Sequence, residues 1–312
     1  GLVEGVSEVG GIAGYTDTII ESYVNSSVAA KDSIVGGLAG RASFVKNSHV
    51  IASYVRGNNI VGGLVGSVGS SVTNSYFVGD SVTGIYQVGG LVGVANGNVD
   101  SSYWISNVKG DDNVGGLIGS SYGNISYSYA VGNVVGDVDN SSAGNDNLGG
   151  LVGYAYSGSI SKSLATGDVN GTTKLGGLVG RFDGTSISQS YAQGNVTGSY
   201  YGDPSDEVGN FYIGGLVGYG KGLVSETYVS GSVKGIEDGP VYTGCIVGYV
   251  NGSMEITDSY FDSDKCDLAF EGKTGIATIS NSPAQTTDAM QSSSTYGNWD
   301  FIDTWRIIGV SY

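Results

Sequence analysis

Three carboxylates, Asp258, Asp262 and Asp264, fall within one short stretch. Paired carboxylates are what polysaccharide-cleaving enzymes use to protonate a leaving oxygen and to activate water. Their setting here, polar and turn-forming, reads instead as the end of a structural unit. A second group, Asp137, Asp139 and Asn140, supplies the oxygen ligands that Ca²⁺ takes, but without the full EF-hand spacing or its terminal Glu. Cys245 and Cys266 are the two cysteines, and they either bridge or stand as two buried free thiols. Two Cys and one His are too few for a zinc site. His49 is the single histidine, so a Ser-His-Asp or Cys-His centre has little to draw on. No HExxH is present. Asn25, Asn124, Asn140, Asn170, Asn195 and Asn251 open N-x-S/T sequons. These residues predict a non-catalytic chain, with a polysaccharide-processing enzyme as the alternative, and no cofactor other than Ca²⁺.

The elements that must position these groups are repeats. A glycine pair recurs in GGIAG at 10, GGLAG at 36, GGLVG at 62 and 89, GGLIG at 115, and GGLVG at 149, 176 and 214. A worn copy, Thr243-Gly244-Cys245, follows. A second marker trails each copy, as Ser22-Tyr23, Ser75-Tyr76, Ser102-Tyr103, Ser128-Tyr129, Ser190-Tyr191, Thr227-Tyr228 and Ser259-Tyr260. His49 and Leu164 replace the tyrosine in two units. Two markers in fixed order define nine units of about 27 residues.

Alignment on the serine brings out a period of two. Three residues before it stands a β-branched residue in every unit, from Ile19 and Val45 to Ile256. Two residues after it stands an apolar one, from Val24 and Val50 to Phe261. Six residues after it, seven in the third unit, come Val28, Tyr54, Val82, Val108 and their equivalents. The intervening positions are mostly polar, so each unit reads as short strands with one apolar face. Such a unit buries that face only by stacking on its neighbours. The sequence therefore predicts an all-β fold, a single-stranded parallel β-helix of about nine coils, roughly 43 Å long at ~4.8 Å per coil. The glycine pair is expected at a corner, through positive φ and close coil-to-coil approach. The following Leu or Ile, from Ile12 and Leu38 to Ile246, is expected to plug the core.

Composition agrees. The chain has 312 residues, including 56 Gly, 22 Tyr and only 3 Pro, with a net charge of −16. That acidity excludes a phosphate-binding basic footprint, hence nucleic acid. No apolar run reaches the roughly 18–20 residues of a membrane helix. The first residue is Gly1, without an initiator Met, so the chain reads as processed or as part of a longer one.

The GGLVG…SYA.GNV.G pattern, clearest over 125–134, 160–180 and 187–198, resembles the GLUG repeat of large extracellular bacterial and archaeal proteins. These include haemagglutinin-like adhesins and the repeat regions of IgA-specific metallopeptidases. Gly272-Lys273-Thr274, the run from Thr286 to Met290 and Trp299-Asp300-Phe301 resemble the segment that closes such arrays. The resemblance implies a surface-exposed or secreted β-solenoid and leaves its ligand open. The domain division expected is a β-helix over 1–262 and a capping region over 263–312, with a helical turn begun by Thr286 or Thr287.

Two surfaces emerge as candidates. Tyr23, Tyr76, Tyr103, Tyr129, Tyr191, Tyr228 and Tyr260 are expected to form an outward ladder, either for sugar or subunit contact or simply for stability. Lengthened connections at 136–147, 199–211 and 235–242 are expected on one side, rich in Asp and Glu. They read either as the Ca²⁺ loop or as solvated acidic loops. The expected partners are a second copy of the chain, a surface glycan or a surface protein. The first coil shows no cap, which points to further coils before it or to a partner at that end.

Overall fold

The computed structural model describes residues 1–136, 146–199, 211–235, 241–267, 269–273, 276–301 and 305. Within them the chain winds as a parallel β-solenoid of about nine turns. Each turn lays down strands on three faces. Face I carries the short strands that lead into the glycine pair, such as Ser33–Gly36, Asn59–Gly62 and Lys174–Gly176. Face II follows the core Leu, as in Ala39–Lys46 and Val65–Thr73. Face III follows the serine, as in His49–Arg56 and Tyr76–Thr83. The three sheets hold nine, fifteen and seventeen described strands.

Strands pair in parallel with the equivalent strand one turn on. Val35 meets Val61 on face I, Val72 meets Val99 on face II, and Val108 meets Val134 on face III. The period-two alternation turns one side of all three faces inward. The β-branched columns then stack like on like, and nearly all are fully buried. Burial of one such side chain is worth roughly 1.5–3 kcal/mol, repeated turn after turn. Volume is balanced between columns. Phe77 and Trp104 fill the face III column where Ala130, Ala165 and Ala192 stand in later turns. Phe182 supplies bulk on face II in the turn that carries Ala192. Close packing demands such trade-offs.

The corners use different chemistry. None of the paired glycines lies in the left-handed region. The pair is required by crowding instead. A Cβ on Gly63 would sit 2.1 Å from the Gly90 carbonyl oxygen, and one on Gly62 would sit 2.0 Å from that of Val65. This corrects the expectation of positive φ at the pair and leaves close approach as its reason. Left-handed backbone falls on the residue before the serine, from Glu21 and Asn47 through Asp258 to Asn281. It swings the serine N–H out of the ladder. The hydroxyl of the next turn's serine accepts it, as in Ser48 N to Ser75 Oγ at 3.1 Å and Ser75 N to Ser102 Oγ at 3.1 Å. That hydroxyl in turn donates to the carbonyl two residues back, as Ser75 Oγ does to Thr73 at 2.8 Å. The buried serine column is thus hydrogen-bonded from both directions, as buried polar groups must be.

Three further expectations change. Val55, not Tyr54, pairs with Val28 and Val82 in the core, so the second unit also counts seven residues. Ile12 is half exposed, with no turn among the described residues on its outer side, whereas Leu38 is fully buried. The solenoid also continues past residue 262. Ile276–Ser280 and Ala284–Gln285 stack on the ninth turn, with Ile279 on Ile256 and Ala284 on Phe261. Ser282 extends the serine column, its Oγ accepting from Ser259 N at 3.0 Å. The cap proper begins at Thr286, which accepts from Ala289 N and starts the single helical turn Thr287–Met290.

Candidate functional site: two aromatic surfaces

The tyrosine ladder lies on face III. Ring centroids are 4.7 Å apart from His49 to Tyr76 and from Tyr76 to Tyr103, and 4.8 Å from Tyr103 to Tyr129, with planes within 7°. His49 therefore continues the stack, and Tyr23 lies 5.6 Å beyond it. Leu164 interrupts it, and Tyr191 and Tyr228 form a second stack at 4.6 Å. Burial raises the phenol pKa of Tyr103, Tyr129 and Tyr191. The stacking consumes the ring faces, which are the part that a sugar would use, and leaves edges outward. Tyr260 departs from the outward ladder, being only 2% exposed. The carboxy-terminal tail covers it with Tyr296 and Trp299, at 4.9 and 5.6 Å. Trp305 lies 5.9 Å from Tyr228 and 6.2 Å from Tyr191.

A second aromatic surface occupies the crease where faces I and II meet on the outside. The last glycine of each pentapeptide makes the crease. A Cβ on Gly66 would lie 3.0 Å from the backbone of Val35, so the two faces touch there. Two columns line it: the residue two before the glycine pair on face I, and the residue after the pentapeptide on face II. In the early turns these are aliphatic, small or paired residues, with Ile34 and Ile60 on face I and one ring, Tyr15, on face II, its hydroxyl donating to Asp17 at 3.1 Å. Glu8 binds Arg41 at 3.0 Å, and Gln87 Nε2 donates to Ser120 Oγ at 3.4 Å.

Later turns fill the same positions with rings and charge. Tyr154, Arg181, Tyr219 and Tyr249 stand in register on face II. Lys174, Tyr212 and Tyr242 stand in register on face I. The Arg181 guanidinium carbon lies 4.5 Å over the Tyr154 ring and 5.5 Å over Tyr219. Tyr212 reaches across the crease to Tyr219 at 5.0 Å and Tyr249 at 4.7 Å, with planes inclined 51° and 54°. Asp183 accepts from Arg181 Nε at 3.0 Å and from the Tyr154 hydroxyl at 2.6 Å. Burial and that hydrogen bond push the Tyr154 phenol pKa up. Tyr156 and Tyr122 extend the rings at 3.6 and 4.5 Å.

At the edge of this region Asp111, Asp112 and Asp146 gather with Lys174. Burial, then Asp111 and Asp112, raise Asp146 to about 7. Burial also raises Asp112 and lowers Lys174. Lys174 N and Thr173 Oγ1 both donate to the Asp146 carbonyl at 2.9 Å.

The remaining candidates divide plainly. Asp258 occupies a left-handed corner and accepts from Asn298, Asn281 and Thr257. Burial alone would raise its pKa, but these donors hold it below the ordinary carboxylate value. Asp262 is buried and accepts from Thr287 Oγ1 at 2.6 Å, and Asp264 accepts from Thr287 N at 2.9 Å. All three carboxylates tie the cap to the ninth turn. Cys245 and Cys266 form a disulfide. Cys245 takes the place of a second paired glycine, and among the described residues the tenth turn has no face I strand. The covalent bond joins the turns where that rung is missing.

Asp137, Asp139 and Asn140 lie outside the described residues, as do most of the three lengthened connections. No group of three or more His, Cys, Asp or Glu that could hold a metal ion occurs among the described residues. Among the described residues no helix is long and apolar enough to cross a membrane. Asn25, Asn124 and Asn195 are exposed, while Asn170 and Asn251 are half-buried. The Asn124 and Asn195 side-chain Oδ1 atoms already accept from Ser159 N and Ser232 N of the following turns.

The sequence reading missed the crease. Its signal was available: Tyr154, Arg181, Tyr219 and Tyr249 each follow a pentapeptide directly. Alignment on the serine alone left that column unread.

The GLUG motif matches residues 144–170. That stretch is similar to the GLUG motif, and its described part lies within the β-solenoid. Comparison with curated proteins and with solved structures returned no match.

Proposed function

We propose that the chain is a non-catalytic, extracellular β-solenoid module of a cell-surface protein, used for adhesion. One observation carries this reading. Chemistry-bearing side chains converge along a lateral crease, while the clustered carboxylates Asp258, Asp262 and Asp264 are committed to holding the cap. A stiff rod with a patterned side suits display and attachment better than turnover. Adhesion is favoured over a self-assembling layer because the tail already covers the last rungs of the tyrosine ladder.

Surface biotinylation of intact source cells tests the location, and labelling of the protein on unbroken cells is the expected result. Negative-stain microscopy with light scattering, with and without Ca²⁺, should show dispersed rods; ordered fibres or sheets would establish the assembly reading. A reducing-end assay on polysaccharides should show no turnover. Turnover abolished by Asp262→Asn in a folded variant would establish the enzyme instead.

A further inference from the structure

We infer that the carboxy-terminal half of the crease between faces I and II binds a neutral polysaccharide chain, with Tyr212, Tyr219 and Tyr249 as its stacking platform and Arg181 with Asp183 as its hydrogen-bonding pair. This deepens the adhesion reading and rests on it.

Shape comes first. Tyr154, Arg181, Tyr219 and Tyr249 hold one position in four consecutive turns, so the platform runs about 14 Å along the rod at ~4.8 Å per turn. An extended polymer with its own short repeat can follow such a line. Tyr212 on face I leans across it at 5.0 and 4.7 Å, giving the line a second wall. A concave surface of aromatic walls with a few placed polar groups is the usual form of a binding site.

Ring orientation separates this surface from the ladder. Ladder rings form one column of near-parallel planes 4.7–4.8 Å apart. The crease has two columns, each near-parallel but more widely spaced, with Tyr219 and Tyr249 at 5.7 Å and Tyr212 and Tyr242 at 5.7 Å. The cross-crease rings are inclined by 51° and 54°, and Tyr242 meets Tyr249 at 66°. Across the crease, rings inclined in this way do not seal one another's faces. All four of these tyrosines are half-buried, held firmly yet open to solvent.

Charge selects the ligand. The chain carries −16, which repels an anionic polymer. Arg181 does not offset this, because Asp183 neutralises it at 3.0 Å. A guanidinium and a carboxylate side by side offer donors and acceptors without net charge, which matches sugar hydroxyls.

The test is affinity electrophoresis of the full chain in native gels containing galactomannan, xyloglucan, mixed-linkage β-glucan, mannan or amylopectin. Alginate and polygalacturonate form the anionic arm. Retardation by at least one neutral polymer is expected. Tyr212→Ala/Tyr249→Ala should weaken it at least tenfold, and Tyr103→Ala on the ladder should leave it unchanged. Should the double variant lose its β circular dichroism, Tyr212→Leu and Arg181→Gln replace it, with the same loss expected. No retardation by any neutral polymer overturns the inference. So does retardation by the anionic polymers alone, or neutral binding that survives the crease substitutions. A chain labelled on intact cells that binds no polysaccharide sinks this inference alone. Polysaccharide binding by a chain never labelled on intact cells sinks the surface reading instead.

Discussion

Along the crease, the amino-terminal and carboxy-terminal turns use the same two backbone positions differently. In the early turns the face I residue is left-handed, at Glu8, Ile34, Ile60, Gln87 and Asn113, with φ between 51° and 64°. Its face II neighbours include Arg41, Ser67 and Val94. In the later turns Lys174, Tyr212 and Tyr242 are free of positive φ and face Arg181, Tyr219 and Tyr249. Behind both halves the interior is alike: Val61 and Val88 in one, Leu148 and Leu175 in the other, all fully buried. The interior requires every turn to match the one beneath it. The exterior carries no such demand, so chemistry can collect in one stretch without disturbing the winding.

The largest effect should ignore the boundary between halves. Gly63→Ala and Gly177→Ala each drive a Cβ to 2.1 Å from a backbone oxygen of the next turn. Each should cost about 3 kcal/mol or more, read from urea unfolding midpoints. A large loss for one and none for the other would break the claim of a common interior. Reduction of Cys245–Cys266, which closes a separation of 21 residues, should cost about 3 kcal/mol and act on the carboxy-terminal half. Hydrogen exchange in reductant should show protection lost from the ninth turn onward before the early turns.

A pH dependence should also belong to the later half. Asp146 is raised from 3.8 to about 7, so the folded state holds its proton more tightly than the unfolded state. Its unfavourable contribution is absent below pH 3.8 and grows as pH climbs toward 7. Stability should fall by roughly 3–4 kcal/mol over that window. Asp146→Asn should flatten the profile in denaturant titrations at matched ionic strength, and an unchanged slope would remove Asp146 as the cause. In the early half, Ile60 is β-branched at φ 52°, a costly conformation. Ile60→Asn should raise stability by about 1 kcal/mol, while Lys174→Asn should bring no such gain. The smallest effect concerns the ladder. Leu164→Tyr would join the stack ending at Tyr129 to the one starting at Tyr191, adding about 0.5 kcal/mol in thermal melts.

The interior was legible in the sequence because it is periodic. Ile19, Ser22 and Val24 announce a strand, a corner and a second strand, and every later turn repeats the statement. The tenth turn obeys the same spacing through Ile279, Ser282 and Ala284, but Pro283 stands where tyrosine does elsewhere and no glycine pair precedes it. That hid it among the residues assigned to a cap. Tyr54 was misplaced because one extra residue in the second turn moves its neighbour Val55 inward, and alternation gives no warning of such a shift. The crease stayed hidden for a different reason. Tyr212 and Tyr249 are 37 residues apart and meet only because two faces fold together at the glycine pair. No period of two or of 27 announces a contact across a corner.

The serine corner has a consequence for growth of the rod. Each serine hydroxyl answers the N–H of the turn before it, and each unit brings its own hydroxyl residue, Thr227 standing for the serine in one turn. A segment excised between equivalent corners leaves the flanking turns to complete each other's bonds. Length then becomes a variable separate from fold: turns can be gained or lost in whole numbers, ~4.8 Å at a time, with neither end rewritten. The distance at which the crease is held from whatever anchors the rod can change by recombination alone, while the surface that makes contact stays the same.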